Sequence, residues 1–238
     1  VLQSIGKERT RLVRHARECL EILKATSPDK MLNYKGEIYT VYANQPKWIK
    51  DKPPLIYFGS NHAQTRRLSA ELADGLITSD FVVSMMKDFV TEARKDLAAV
   101  GRSPDEFRFS NFWAWHIKED AVASVSEARR ELMLRGWLGE MYFAPFLDSD
   151  ELAFMREHEQ DFLNAFLRST DVIENVPDDL ITKMINNISF VGGLDQIEPA
   201  IQTLRDFADA GLTEIALRVH DDPAAAIKLI GEQVIPRL

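Results

Sequence analysis

The sequence predicts an α/β fold built on a parallel sheet, and three observations carry that prediction. Short strand-like runs recur at residues 55–60, 76–79, 108–117 and 214–219, and the first, "LIYFGS", has the continuous apolar make-up of a strand buried on both faces. Segments of helical periodicity separate these runs. Gly or Pro punctuation falls at the joints, as in "ADGLITS" and "DDPAAA". Strands alternating with helices imply right-handed crossovers and parallel pairing. Four βα units make either half of an eight-stranded barrel or one smaller doubly wound sheet, and periodicity does not choose between them.

Each element has its own signal. Over residues 7–24, Leu12, Val13, Ala16, Leu20 and Leu23 recur at helical spacing with Arg and Glu opposite, which predicts a surface helix packed on a core. "YKGEIYTVYA" alternates like a strand around Gly36, and the Pro-punctuated "NQPKWIKDKPP" reads as an extended connection. After the strand at 55–60 come a helix in "AQTRRLSAELA", the strand at 76–79, a helix over 82–100, the strand at 108–117 and a helix over about 121–134. Residues 135–190 break the rhythm; they read as a helical insertion without a strand. The pattern resumes after "FVGG" with a helix over 196–210 closed by Gly211, the strand at 214–219, and a final helix with Pro223 in its first turn.

Composition bounds the function. With 238 residues, 45% apolar and 28% charged, the chain has an ordinary globular make-up, enough for one large or two small domains. A net charge of -8 gives no general attraction to nucleic acid or to anionic membranes, though it leaves room for a local basic pocket. The single cysteine, Cys19, excludes an intrachain disulfide and a cysteine metal cluster, and fits a cytoplasmic protein. No run approaches the ~20 apolar residues of a membrane helix. The sequence opens on Val1 and passes almost at once into a charged helix, as a processed or truncated end would.

Ligands of parallel α/β folds bind at the carboxyl ends of the strands. That rule selects Gly59, Ser60, Asn61 and His62, then Thr78 and Ser79, then His116 with Lys118, and finally Arg218 with His220. In the first group Gly59 permits close backbone approach, Ser60 and Asn61 offer side-chain hydrogen bonds, and the amides of a helix start attract phosphate. The plain alternative is that Asn61 caps the helix and Gly59 only makes the turn. His116 ends "FWAWHI", where Phe112, Ala114 and His116 share one face and Trp113, Trp115 and Ile117 the other. It is a candidate proton donor or substrate contact, or else a hydrogen-bonded structural histidine. Ser79, Trp113, Arg218 and His220 are candidate substrate contacts, the last two alternatively a salt-bridged rim. His158, in "REHEQD", belongs to a solvated helix face, because no second His or Cys is placed for a metal. Trp137, Tyr142, Phe143 and Phe146 line either a lid or the insertion's own core. No GxSxG, HExxH or locally spaced Cys-His pair supports a hydrolase.

Two stretches carry a resemblance. "PPLIYFGSNHAQTRRLSAELADGLITS" resembles the segment of luciferase-like flavin or deazaflavin oxidoreductases that runs from a proline pair through a strand, a small-residue loop and a helix to an Ala-Asp-Gly strand. "FVGGLDQIEPAIQTLRDFADAGLTEIALRV" resembles that family's Gly-containing helix start followed by Ala-Gly-hydrophobic and the last strand, and "AAAIKLIGEQVIPRL" is similar to the tail of its methylenetetrahydromethanopterin reductase branch. The resemblance implies a (β/α)8 TIM barrel of which this chain, as a single domain with its insertion at 135–190, holds strands five to eight. The first four strands, which in the family carry further active-site residues, would lie in the same or a complementary polypeptide. It also implies that Gly59, Ser60 and Asn61 hold a cofactor phosphate, with His62 where a Gly often stands, and that Thr78 belongs to the cofactor site. A sugar-phosphate substrate is disfavoured, since "SDFVVSMM" lacks the Lys that such relatives place after the Asp-Gly strand.

The function implied is hydride transfer between coenzyme F-420, or a flavin, and a small organic substrate. The cofactor supplies the redox chemistry while the protein anchors its phosphate, presents one ring face, and supplies a proton from a group such as His116. The alternatives are an FMN-dependent monooxygenase with a dry pocket, and a non-catalytic flavin-binding or subunit-interaction protein. A homodimer is expected by the same resemblance.

Overall fold

A computed structural model describes residues 10–47, 54–59 and 61–238. The chain divides into two compact units, Val1–Ile77 with Glu92–Arg108, and Thr78–Thr91 with Phe109–Leu238.

In the first unit, α1 (Leu12–Ala25) is amphipathic and buries Leu20, as its apolar spacing requires. It also buries Glu18. That carboxylate accepts the backbone N–H groups of Glu37, Ile38 and Tyr39 at 2.9, 3.0 and 2.9 Å and the Arg14 Nε–H at 2.8 Å, and these bonds hold its pKa at about 2 against the opposing effect of burial. The three amides belong to the turn between β1 (Leu32–Lys35) and β2 (Thr40–Asn44), an antiparallel hairpin where the sequence shows only alternation around Gly36. Gly36 is required there because a Cβ would collide with the Glu18 carboxylate. Residues 48–53, within the proline-punctuated connection, lie outside the described residues.

The parallel part of this unit pairs β3 (Tyr57–Gly59) with β4 (Gly75–Ser79) in the register Tyr57↔Gly75, Phe58↔Leu76 and Gly59↔Ile77. The crossover helix α2 (Ala63–Leu72) sits between them in sequence. Its last carbonyls are closed by Arg102, whose Nη1 donates to Ala70 O and Ala73 O, each at 2.7 Å. The helix after β4, α3 (Val83–Ala99), starts in the second unit and ends in the first.

The second unit is organised by β5 (Arg108–Trp115). It pairs in parallel with β7 (Glu214–Val219) over six residues and with β6 (Ser189–Phe190) at Ala114 and Trp115, while Asp80, just past β4, donates its N–H to Phe112 O at 2.9 Å. Alternate residues explain why both faces are apolar. Phe109, Asn111, Trp113 and Trp115 are all buried on one face, with Trp113 edge-on to Phe190 and to Phe207 of α9 (Ile197–Asp209). Helix α9 buries Ile197, Ala200, Ile201, Leu204 and Phe207, and each large apolar side chain removed from water contributes about 1.5–3 kcal/mol. Gly211 follows it at φ +95°, the left-handed conformation that ends the helix.

The strand at 214–219 stands where the spacing puts it, and the helix expected over about 121–134 is α4 (Ala121–Arg130) followed by a separate turn at Leu132–Leu134. The insertion is helical as expected, with α5 (Glu140–Phe143), α6 (Ser149–Glu157), α7 (Glu159–Leu167) and α8 (Asp178–Ile188). Its last two residues form β6, a strand too short to leave a periodic signal. The final helix, α10 (Pro223–Leu229), starts at Pro223 and runs into a π-turn at Ile230–Val234.

Candidate active site

The parallel register determines what the end of β5 can assemble. Ala114 pairs with Arg218 and Trp115 with Val219, so the next position sets His116 beside His220. Their imidazoles stack, with centroids 4.9 Å apart and planes 20° from parallel. His116 Nδ1 lies 2.8 Å from Glu127 Oε1, and the other oxygen of Glu127 accepts from Lys118 Nζ at 2.5 Å and from the Asp221 N–H at 3.1 Å. Glu127 is buried, yet these partners hold its carboxyl at about 2, below the usual carboxylate range, against the opposing effect of burial.

That pair fixes a tautomer. Burial pushes His116 below its ordinary value, only partly offset by Glu127, so the ring is neutral at pH 7. An ionised Glu127 can only accept, so the ring proton sits on Nδ1 and the lone pair on Nε2. His220 is pushed down to about 3 by burial and by the nearby charges of Arg135 and Arg218. Its Nδ1 stands 3.6 Å from Glu131 Oε2, and its Nε2 is buried without a hydrogen-bond partner among the described residues.

At the end of β4, Asp80 adopts a left-handed conformation (φ +58°) and is 5% exposed. Its carboxylate accepts the Gly136 N–H at 2.8 Å and pairs with Arg135 Nη1 at 3.3 Å, while burial pushes its pKa up. Those bonds anchor a left-handed turn in which Gly136, Trp137 and Leu138 have φ near +50°, so the turn stores strain of about 1–2 kcal/mol at each non-glycine residue. Trp137 is exposed, whereas Phe143 is fully buried and packs edge-on against Phe146. The insertion therefore has a core of its own in Phe143, with Trp137 left over.

The other expected residues fall as follows. Thr78 is buried and its hydroxyl is engaged with Asn111 Oδ1 at 3.0 Å; Ser79 is half-buried. Trp113 lies on the opposite face of β5 from Ala114 and His116, packed under α9, and is not brought together with Arg218 and His220. The strand's alternation dictates that separation. Ser60 lies outside the described residues. In the first unit Gly59 is exposed at the end of β3, Asn61 is half-buried, and His62 is the N-cap of α2 without a side-chain capping bond. Among the described residues a Cβ added to Gly59 would meet only Ile77, at 3.8 Å, an ordinary contact that does not require a glycine there. His158 bonds Asp161 at 2.9 Å, and among the described residues no group of His, Cys, Asp and Glu could hold a metal.

Glu127, Glu131, Asp80 and Arg135 are the site residues that spacing does not single out. A weak signal existed for the first: Glu127 falls on the same face of α4 as buried Ser124 and Ala128, an unusual place for a carboxylate. A cleft of about 290 Å³ opens beside this network, lined by Trp115, Ile117, Lys118, Glu127, His220 and Leu229 among others.

Parallel strands with a polar, partly charged cluster at their carboxyl ends define an α/β protein of the class whose ligands bind at that edge. The sequence profile of the luciferase-like monooxygenase family matches residues 2–214, and the chain belongs to that family. It is 26% identical over 245 residues to the 5,10-methylenetetrahydromethanopterin reductase of Archaeoglobus fulgidus, covering 99% of this chain and 70% of that one. The coenzyme F-420-dependent tetrahydromethanopterin reductase from Methanopyrus kandleri has the same fold (TM-score 0.69, 17% identity, 93% of this chain and 61% of that one). So does the FMN-bound oxygenating constituent of 3,6-diketocamphane monooxygenase from Pseudomonas putida (TM-score 0.57, 18% identity, 100% of this chain and 66% of that one). The chain thus spans less than two thirds of the length of these solved structures. The relative and these neighbours are oxidoreductases. Among the described residues no helix is long and apolar enough to cross a membrane.

Proposed function

We propose that the chain serves an oxidoreductase that moves a hydride between coenzyme F-420 and a small organic substrate. The observation that carries this reading is the likeness to a reductase across 99% of the chain. The single polypeptide would hold strands five to eight of the barrel, with the remaining strands in the same or a complementary polypeptide. Phe112, on the same face of β5 as Ala114 and His116 yet 43% exposed, supports this.

The residues present fit a cofactor phosphate at the β3–α2 loop, because Gly59 leaves room that its own neighbours do not fill. There the backbone around Gly59, Ser60 and Asn61 would hold the phosphate against the start of α2. When bound, the deazaflavin supplies the hydride chemistry. At the β5 end, His116 presents a neutral Nε2 that accepts a proton or hydrogen bond. Glu127 positions that ring and keeps its proton on Nδ1, and Lys118 and the Asp221 N–H keep Glu127 ionised.

FMN is the second reading, favoured by the FMN-bound neighbour. Titrating the purified protein with F-420 and separately with FMN tests both. Saturable binding of F-420 supports the first reading, binding of FMN alone moves the assignment to a flavin enzyme, and binding of neither removes both.

A further inference from the structure

We propose that Arg218, Arg135 and His220 form a binding site for an oxyanionic group, a carboxylate or phosphate, carried by the substrate. The sheet register puts the parts together. Arg218 pairs with Ala114 on β5, His220 stands beside His116 one step further, and Asp80 is bonded to Phe112 on the same strand. Side chains of parallel partners share a face, so Phe112, Ala114 and His116 lie in one layer with Ala216, Arg218 and His220.

Three nitrogen groups, two in this layer and one in the turn bonded to Asp80, lack what they need. The guanidinium of Arg218 is exposed and makes no hydrogen bond or ion pair with another described residue. Arg135 is 4% exposed, its Nε has no partner among the described residues, and the carboxylate it pairs with, Asp80, stands at 3.3 Å. His220 Nε2 is likewise buried and unpartnered. Because 3.6 Å to Glu131 is too long to fix the His220 tautomer, its proton is free to sit on Nε2 and donate. Buried donors without partners are uncommon, since each costs about 1–3 kcal/mol, and a ligand acceptor would satisfy them.

The donor chemistry selects the sign of the ligand. Arg135 lies in the fields of Arg218, Asp80 and Glu131, and Glu131 also engages Arg130 at 3.2 Å. Two guanidinium forks with an imidazole N–H match the lone pairs of an oxyanion. The exposed ring of Phe112, two positions from Ala114, would lie under the apolar part of such a ligand.

Only the word substrate rests on the proposed function, so the test uses cofactor-free protein and inorganic phosphate and acetate as probes. With ring-labelled histidine, the chain offers five reporters, His15, His62, His116, His158 and His220. The site predicts saturable shifts of the His116 and His220 ring signals at pH 7, weakened about tenfold or more in Arg218→Gln and partly restored in Arg218→Lys. Arg218 is exposed, so both variants fold. Saturating F-420 should leave the phosphate effect in place, whereas its loss would assign the site to the cofactor's own phosphate and overturn the proposal. A shift confined to His62 would locate the anion at the β3–α2 loop, and shifts insensitive to Arg218→Gln would reflect nonspecific binding; either result overturns it.

Discussion

Replacing Glu127 by Gln removes one charge from a side chain that is 2% exposed and keeps its shape. In the native protein that carboxylate accepts from His116, Lys118 and the Asp221 N–H, and its pKa falls from 4.5 to about 2. A lowering of roughly 2.5 units corresponds to ~3 kcal/mol of stability, by about 1.4 kcal/mol per unit. Gln has a single acceptor oxygen, and its NH2 would face either the Nδ1–H of His116 or the Lys118 ammonium. Urea unfolding at pH 7 should therefore show Glu127→Gln destabilised by about 3 kcal/mol, at the lower end of the cost of breaking a buried pair. The sign with pH follows from the lowered value: the contribution is complete above 4.5 and is lost as pH falls through about 2, so wild type and variant should converge in acid. His116 should also lose its fixed tautomer, visible in its ring ¹⁵N shifts. An unchanged urea midpoint together with an unchanged His116 tautomer would refute the reasoning.

Three further outcomes follow from the geometry. Gly59→Leu should weaken cofactor binding by tenfold or more while shifting stability by less than about 0.5 kcal/mol, because an exposed position with space for a Cβ tolerates a side chain; equal binding would end the phosphate assignment. Gly211→Ala, at φ +95°, should cost about 1–2 kcal/mol in thermal or urea unfolding, and a neutral effect would show that the α9 end can relax. Substituting Gln for His116 should remove a basic group held below the ordinary histidine range and abolish its part of the acid-side fall in the pH–rate profile, and an identical profile would exclude proton transfer there.

The parts of the fold carried by local pattern could be read directly. The run at 214–219 is a strand with those bounds, and Gly211 ends the preceding helix, because alternation and helix-stop chemistry are properties of neighbouring residues. Two-residue β6 could not be read, since it exists through pairing with Ala114 and Trp115, some 75 residues away in sequence. The hairpin around Gly36 depends likewise on Glu18, whose carboxylate fills the turn from a neighbouring helix. The site divides in the same way. His116, Arg218 and His220 follow from the rule of strand ends, whereas Glu127, Glu131 and Arg135 come from α4 and the turn beyond it and are recruited only by tertiary packing. The neutral state of His116 depends on that packing too, since burial and Glu127 are brought to it only by the tertiary fold.

In the proposed role this chain contributes the cofactor-binding strand ends of a hydride-transferring oxidoreductase. Fluorescence titration of the protein with F-420, run in parallel with Gly59→Leu, checks that role. Saturable binding to the wild type is expected, weakened at least tenfold in the variant, which stays folded. Absence of binding to the wild type, or equal affinity in the two proteins, would remove the proposed role.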